Sequence, residues 1–502
     1  MRTAPVRPLI SLPALAAVGI FVFGLMNSTL FADGDPYWHV AVGRWIVAHR
    51  AIPVRDVFSH SAPGIPWTAH EWLSEVVMFA VWQAAGWRGI QLLISAMFAL
   101  TAGYILRFLA DRMQPVHAIP AGLLCLALMN EHFLGRPHVL VWPLTAVWVG
   151  TLVASGESRR PPPWWLLLLL PVWSNLHASF TMALGFAGAL AIDAILQFEA
   201  PAERVRAARA WVVFLIASFA CVLINPRGLG AITHASGVMQ LKATLDIVKE
   251  WQSADFHQLS ALMIWLLAIL AIAFSGRLRL SVMRTLLVAG LLYLALKHQR
   301  YHATIGLATP FLLATPLAIG LRREADASSD RAAALDRWFA RLTASSRKIG
   351  VAIAVGASIA FAVILRPYMP IGPMAATTPE RALAAFQATG VQGRVLNGYV
   401  IGGYLIFRDV PVFIDGRGDM YGDAFMVEAR DAFGLRRPHA LEDVLTKYHI
   451  AWTMLPPKTA AVELLDHLPA WERLYADSVA IVHVRRDLLH AARPGLSPPT
   501  HQ

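Results

Sequence analysis

Charge is what this sequence has least of. Only 15% of its 502 residues are Asp, Glu, Lys or Arg, against roughly a quarter in ordinary soluble domains. With 57% hydrophobic residues and repeated apolar runs of about 18 residues or more, the shortfall points away from a soluble enzyme and toward a polytopic membrane protein. Cysteine is almost missing: Cys125 and Cys221 both fall inside apolar runs, so there is no disulfide framework and no clue to redox compartment. There is no Walker loop, Rossmann fingerprint, zinc-ligand spacing, defensible Ser-His-Asp order or solenoid repeat. The net charge of +11 does not signify a nucleic-acid partner, because the basic residues form short clusters between apolar runs, where membrane topology explains them.

The first apolar stretch, 9–31, follows Arg2 and Arg7. It is too long for a secretory signal and lacks a small-x-small cleavage site, so it reads as a retained span. Further runs lie near 89–110, 117–131, 137–155, 163–175, 178–198, 210–225, 258–275, 284–297, 303–321 and 347–366. The basic connections "RFLADR" (107–112), "ESRR" (157–160), "ERVRAAR" (203–209), "GRLRLSVMR" (276–284) and the long 321–348 segment all become cytoplasmic with about eleven spans and the N-terminus inside. That count requires "EWLSEVVMFAVWQAAGW" (71–87) to lie in the outer interface, rimmed by Trp72, Trp82 and Trp87; if it crosses, every later segment changes sides.

The outer face then receives 32–88, 131–137, 175–178, 225–257, 297–303 and everything after 366. From about Ala375 the pattern changes. "GRVLNGYVIGGYLIFRDVPVFIDGRGDMYG" (393–422) reads as strand, Gly-rich turn, short helix, strand and polar loop. Segment 441–457 reads as an amphipathic helix followed by a strand, and 465–486 as a helix turning into one or two β-rich segments. The expected organisation is a transmembrane domain over 1–372 with a first outer loop at 32–88, a small α/β extracytoplasmic domain with a largely parallel sheet over 373–490, and a disordered tail over 491–502.

The unusual polar residues fall on the outer side. "FADGDPYWHV" (31–40) leaves the first span and presents Asp33 and Asp35, with His39 close behind. A carboxylate there can take a proton from a hydroxyl or ligate a cation; equally, Asp35 before Pro36 can simply cap a helix. "TAHEWLSE" offers His70 and Glu71. "NEHFLGRPHV" (130–139) compresses Glu131, His132, Arg136 and His138 into one turn, and ionisable groups at membrane depth are costly enough to mark function. Asn175 and His177 interrupt two apolar runs, and Glu250 stands out in "KEWQSADFH". "KHQRYHAT" places Lys297, His298, Arg300 and His302 on the outer side, where cations suit an anionic ligand such as a lipid phosphate. "FIDGRGDMYG" brings Asp415 and Arg417 just after an expected strand, either as ligand-binding groups or as an internal Asp–Arg pair.

Together these blocks resemble the GT-C superfamily, integral membrane glycosyltransferases that use polyprenyl-phosphate sugars, among them protein O-mannosyltransferases and lipid A aminoarabinose transferases. "DGDPYWHVAVGRWIVAHRAIPVRDVFSH" with "PWTAHEWLSE" is similar to the first-loop signature of bacterial members without an assigned acceptor. "GRPHV", "SNLHASF" and "GGYLIF…VFIDGRGDMYG" are similar to further blocks of that group. The resemblance implies that an acid opening the first outer loop, Asp33 or Asp35, is catalytic base or metal ligand. Many members have adjacent acids, whereas Gly34 separates them here, which leaves the choice between the two open. Glu131 corresponds more weakly to a second acidic position, and a divalent cation, Mg or Mn, is the one cofactor implied.

The expected activity is inverting transfer of a hexosyl or pentosyl group from a polyprenyl-phosphate donor to a lipid, glycan or protein acceptor at the outer face of a bacterial-type inner membrane. His39, His70, Glu71, Glu131, Arg136, His138, Asn175, His177, Glu250, His298, Arg300, Asp415 and Arg417 are the expected substrate-binding residues. Two alternatives remain open on the sequence: a transporter or flippase of a lipid-linked substrate, and a non-catalytic scaffold for envelope assembly.

Overall fold

A computed structural model describes residues 8–325, 338–339, 341–344, 346–364 and 372–492. Much of the basic connection 321–348, and the tail from residue 493 on, lie outside them. The chain divides into two compact units, one of 1–27, 89–235 and 250–370, the other of 28–88, 236–249 and 371–502. This division departs from the boundary near residue 373 expected from composition. The first connection clusters with the C-terminal residues because they share one hydrophobic core, in which Tyr37, Trp38, Val42 and Trp67 are buried with Leu405, Phe413 and Trp452.

The first unit is helical. Its helices form at the apolar runs because Leu, Ala, Val and Ile leave no competing polar group for the backbone, and serines start several of them. Ser260 Oγ accepts from the Met263 N–H at 3.2 Å and Ser281 Oγ from the Arg284 N–H at 3.2 Å, the usual N-cap arrangement. Among the described residues, three helices are long and apolar enough to cross a membrane: Trp72–Ala110, Pro201–Val222 and Gln299–Leu321. Shorter apolar helices include Leu12–Met26, Pro115–Asn130, Phe180–Leu196 and Ala261–Phe274. Leu267, Phe274, Val282 and Val355 are exposed on such helices, an apolar exterior that water does not tolerate and lipid does. The element Trp72–Ala110 breaks at Gly86 (φ 61°, ψ −156°), a positive-φ residue that separates the stretch expected at the interface from the run beyond it.

Two buried arrangements inside this unit bring distant polar groups together. A Cβ on Gly306 would stand 2.6 Å from the Cys125 carbonyl oxygen, so the helices Pro115–Asn130 and His302–Ala325 touch backbone to backbone. Glu131, just past the first, thereby meets His302, the first residue of the second. Elsewhere Asp193 lies near the end of the helix Phe180–Leu196. It is buried against Arg284 (Nε–Oδ2 3.1 Å) and Ser281, while Glu157 joins Arg284 at 3.4 Å and Arg112 at 3.1 Å.

The second unit carries a four-stranded sheet. β1 (Arg394–Asn397), β2 (Ile450–Leu455), β3 (Trp471–Ala476) and β4 (Ile481–Arg485) lie in the order β1-β2-β4-β3. β1 and β2 are parallel with Val395 opposite Trp452, but β2–β4 and β3–β4 are antiparallel with Thr453 opposite His483 and Trp471 opposite Arg485. The sheet is therefore mixed rather than largely parallel. A tight turn joins β3 to β4, in which Asp477 Oδ1 accepts from the N–H groups of Val479 (2.7 Å) and Ala480 (2.8 Å), and such a turn returns the chain antiparallel. Every residue of β2 is buried, as "IAWTML", apolar at every position but Thr453, suits a central strand. No strand forms over 410–415; Val412 makes an isolated bridge with Ser59. The expected polar loop beyond it begins the helix Gly418–Gly434.

Candidate active site

In the second unit, the helix Asp35–His49 begins on the acidic turn. Pro36 occupies its first turn and Gly34 is its N-cap residue, a position where proline's missing N–H costs nothing. Asp33 Oδ1 accepts the Asp35 N–H at 3.0 Å. Asp33 thus closes an Asx-type turn onto the first residue of the helix. Gly34 is fixed by contact: a Cβ there would enter the carbonyl oxygen of Val400, and one on Gly403 would enter the carbonyl oxygen of Gly34. The helix Tyr399–Phe407 consequently lies directly on the acidic turn. Gly416 completes the enclosure, its Cα so near the Asp35 carboxylate that a Cβ would fall 3.0 Å from Asp35 Cγ and 2.8 Å from Trp38 Nε1.

One helical turn beyond Asp35, His39 is buried, with Nδ1 3.6 Å from Glu75 Oε1 and Nε2 3.9 Å from Glu71 Oε2. His70 Nε2 lies 3.7 Å from the other oxygen of Glu71. Gly43 sets this spacing, since a Cβ would enter the Glu75 carbonyl oxygen. Glu75 is wholly buried, with no hydrogen-bond partner for Oε2 among the described residues. The sequence marked it only as a charge in an amphipathic stretch.

Asp415 and Arg417 are placed differently from the expectation. Both are buried, and the Arg417 guanidinium is spent internally: Nε and Nη2 reach Asp415 at 2.8 and 2.7 Å, and Nη1 reaches Asp56 Oδ1 at 2.7 Å. Tyr421 Oη donates to Asp415 Oδ2 at 2.6 Å, and Trp67 and Phe58 cover the guanidinium at 4.7 and 5.3 Å. The internal Asp–Arg pair is present, and Asp415 and Asp56 between them satisfy all three nitrogens of a fully desolvated guanidinium. These residues hold the loop that presses Gly416 against Asp35.

In the first unit, three turns far apart in sequence converge. Arg136 Nη1 donates to Glu250 Oε2 at 3.0 Å, and Arg300 Nη1 lies 3.6 Å from Glu250 Oε1. Burial alone would raise the pKa of Glu250, but the two guanidinium groups prevail and hold it down at about 2. Arg300 stacks over Trp251 at 4.1 Å, and His298 Nδ1 donates to the Trp251 carbonyl. His298 Nε2 and His132 Nδ1 are buried without hydrogen-bond partners among the described residues, at a cost of ~1–3 kcal/mol for each polar atom left unsatisfied. Burial, with His138 adding to it, pulls His132 down to about 3.

The remaining expected residues frame this cluster or support it. Glu131 Oε2 is bound by His302 Nδ1, whose Nε2 faces the Ala295 carbonyl at 3.1 Å. His138 Nε2 meets the His132 carbonyl at 2.8 Å, and its ring centroid lies 6.3 Å from that of His177. Asn175 Nδ2 donates to the carbonyls of Pro171 (2.7 Å) and Ile224 (2.8 Å), a tie between two helix ends. The first unit therefore gathers Glu131, Arg136, His138, His177, Glu250, His298 and Arg300, and the second gathers Asp33, Asp35, His39, His70 and Glu71. Asp56, Glu75, His132 and Trp251 are not among the residues that sequence reasoning assigns to the site. Only His132, inside the "NEHFLGRPHV" turn, carries a signal there.

Comparison with protein-family models and with curated proteins finds no match. Solved structures similar to the chain include ArnT from Cupriavidus metallidurans bound to undecaprenyl phosphate, at 13% identity and a TM-score of 0.46, covering 95% of this chain and 98% of that one. ArnT in the apo state gives 12% identity and a TM-score of 0.44 over the same shares. The archaeal oligosaccharyltransferase AglB from Archaeoglobus fulgidus, in complex with an inhibitory peptide and a dolichol-phosphate, gives 9% identity and a TM-score of 0.49, covering 88% of this chain and 69% of that one. ArnT and AglB are both members of the GT-C superfamily.

Proposed function

We propose that the chain is a membrane glycosyltransferase of GT-C type, moving a sugar from a polyprenyl phosphate to a hydroxyl acceptor at the outer face of the inner membrane. The observation that carries this is the convergence of Arg136 and Arg300 on one carboxylate, beside buried imidazole nitrogens of His132 and His298. Paired guanidinium groups of this kind suit a phosphate better than any neutral ligand.

In the reaction, Asp35 takes the proton of the acceptor hydroxyl. The acceptor oxygen bonds to the anomeric carbon from the face opposite the phosphate, and the configuration inverts. The carbon–oxygen bond to phosphate breaks with its electron pair on the leaving oxygen; paired guanidinium groups such as those of Arg136 and Arg300 in the first unit are of the kind that stabilises its growing charge. We assign the base to Asp35 rather than Asp33 on the ground that Asp33 Oδ1 already accepts the Asp35 N–H. His39 and Glu71 orient the acceptor, and the C-terminal residues around Gly416 select it.

Asp33 and Asp35 also have the hard oxygen donors that Mg or Mn takes, and such an ion, when bound, supplies further positive charge. Glu131 is committed to His302 and falls outside that donor set. One observation favours a lipid-linked transporter instead, the buried Arg284–Asp193–Glu157 network among apolar helices, since ionisable groups within spans mark transport paths. Vesicle transport assays without a sugar donor separate the two. The direct test is mass spectrometry of glycolipids and glycoproteins from a deletion strain complemented with the wild-type chain or with Arg136→Ala. Restoration of a glycan by the first and not the second supports glycosyl transfer, and identical glycan profiles in the deletion and complemented strains refute it.

A further inference from the structure

We propose that Glu250 is a built-in competitor for the anion: its carboxylate occupies the Arg136–Arg300 clamp in the absence of ligand and is displaced when a phosphate group arrives. This rests on the reading that the clamp receives phosphate, and adds to it a device that sets when the clamp is open.

The clamp is arranged as an anion site already filled by the protein. Its two guanidinium groups come from the turn after the helix Pro115–Asn130 and from the 3-10 turn Gln299–Tyr301, and each approaches a different oxygen of the same carboxylate. Arg300 is held by its stack on Trp251, and Arg136 sits on the N-terminal edge of the helix Pro137–Leu140, its backbone fixed by the Leu134 carbonyl at 2.8 Å.

Two further groups point to a larger ligand than a carboxylate. His298 is buried, anchored through Nδ1 to the Trp251 carbonyl, and its Nε2 has no partner among the described residues. The His132 Nδ1 is buried in the same condition, with Glu250 and Arg300 near enough to act on its charge. A planar carboxylate has two oxygens and leaves these nitrogens unused. A phosphate monoester has three terminal oxygens in a tetrahedral array and carries up to two charges, so it can accept from both arginines and from an N–H at His132 Nδ1, and when singly protonated it can donate its P–OH to His298 Nε2. Glu250 stands on the three-residue turn Lys249–Trp251, from which its flexible side chain can swing aside by χ rotation while Trp251 stays in place.

The same chemistry is offered by a prenyl-phosphate headgroup and by free inorganic phosphate, so both serve as probes. The full chain in detergent micelles is titrated calorimetrically with inorganic phosphate and with geranyl phosphate, comparing wild type, Glu250→Gln, Glu250→Ala and Arg136→Ala. Removing the competitor is expected to tighten phosphate binding about 10-fold in Glu250→Gln, the scale of one charge-assisted contact, and Arg136→Ala should weaken it. Added acetate should compete with phosphate in Glu250→Ala and have little effect on wild type. A preference for geranyl phosphate over inorganic phosphate in every variant identifies the headgroup as the source, and equal affinity identifies the free ion. Phosphate binding that needs Arg136 but is unchanged or weakened in both Glu250 variants overturns the competitor role and leaves the phosphate site standing. No binding of either probe by any variant overturns both.

Discussion

Gly34 and the carbonyl oxygen of Val400 are in such close contact that no other residue type fits between the two aspartates. The glycine that separates the acids is thus a packing requirement of the helix Tyr399–Phe407 on the acidic turn. Gly34→Ala should destabilise the second unit by ~1–3 kcal/mol, the usual cost of forcing a methyl into a packed interior. Thermal unfolding in detergent checks this, with Gly188→Ala as the control. Gly188 has nothing within 4 Å of an added Cβ and sits in a helix, so alanine there should be neutral or slightly stabilising.

The buried pair of Arg284 and Asp193 gives a second test. Asp193→Ala leaves the guanidinium buried with Glu157 at 3.4 Å as its remaining acidic partner, and should cost ~3–5 kcal/mol. Replacing both by apolar residues of similar volume should recover most of that loss. A comparison of thermal midpoints for the single and double variants measures it.

The pH dependence follows from His132. Burial holds its folded-state value near 3, below the ordinary histidine value of 6.5, so between those two values the unfolded chain binds more protons than the native one. Stability therefore rises with pH through that window and is lost as pH falls from about 6.5 toward 3. Melting curves at pH 7 and pH 5 should differ for the wild type by more than for His132→Asn. Equal differences would show that other groups govern the acid sensitivity.

The arginines of the clamp should differ from ordinary surface cations. Arg136→Ala and Arg300→Ala are each expected to lower sugar transfer by about 10²–10³-fold, as loss of a group stabilising transition-state charge does. Arg136→Lys should recover only part, since a point charge does not replace the planar fork. Transfer measured in membranes at matched protein levels decides this. A change of a few fold would assign the pair a structural role.

Much of the helical part is legible in the sequence, because an apolar run with a serine or proline at its start leaves the chain little alternative. The runs near 117–131, 178–198 and 258–275 appear as Pro115–Asn130, Phe180–Leu196 and Ala261–Phe274. The strands at 394–397 and 450–455 are legible in the sequence, but not the pairing of the sheet, where the tight Asp477 turn sets β3 antiparallel to β4. The segment 410–415 has strand-like residues, yet its neighbour is the chain near Ser59, far away in sequence. The same long range hides the fate of Arg417: "DGRGD" reads alike as a ligand loop or an internal pair until Asp56 is seen beside it. In the clamp, the turn at 130–139 announces itself by its charge, whereas the link from Arg136 to Glu250 depends on tertiary packing that no local pattern encodes.

The assignment of Asp35 as the base is tested most directly by complementing the deletion strain with Asp35→Asn and, separately, with Asp33→Asn, and measuring the restored glycan by mass spectrometry. Asparagine caps a helix as well as aspartate does, so Asp33→Asn should retain transfer within a few fold. Asp35→Asn should reduce it by about 10²–10⁴-fold, the range for loss of a general base. Near wild-type transfer by Asp35→Asn, or its loss in Asp33→Asn alone, would contradict the assignment.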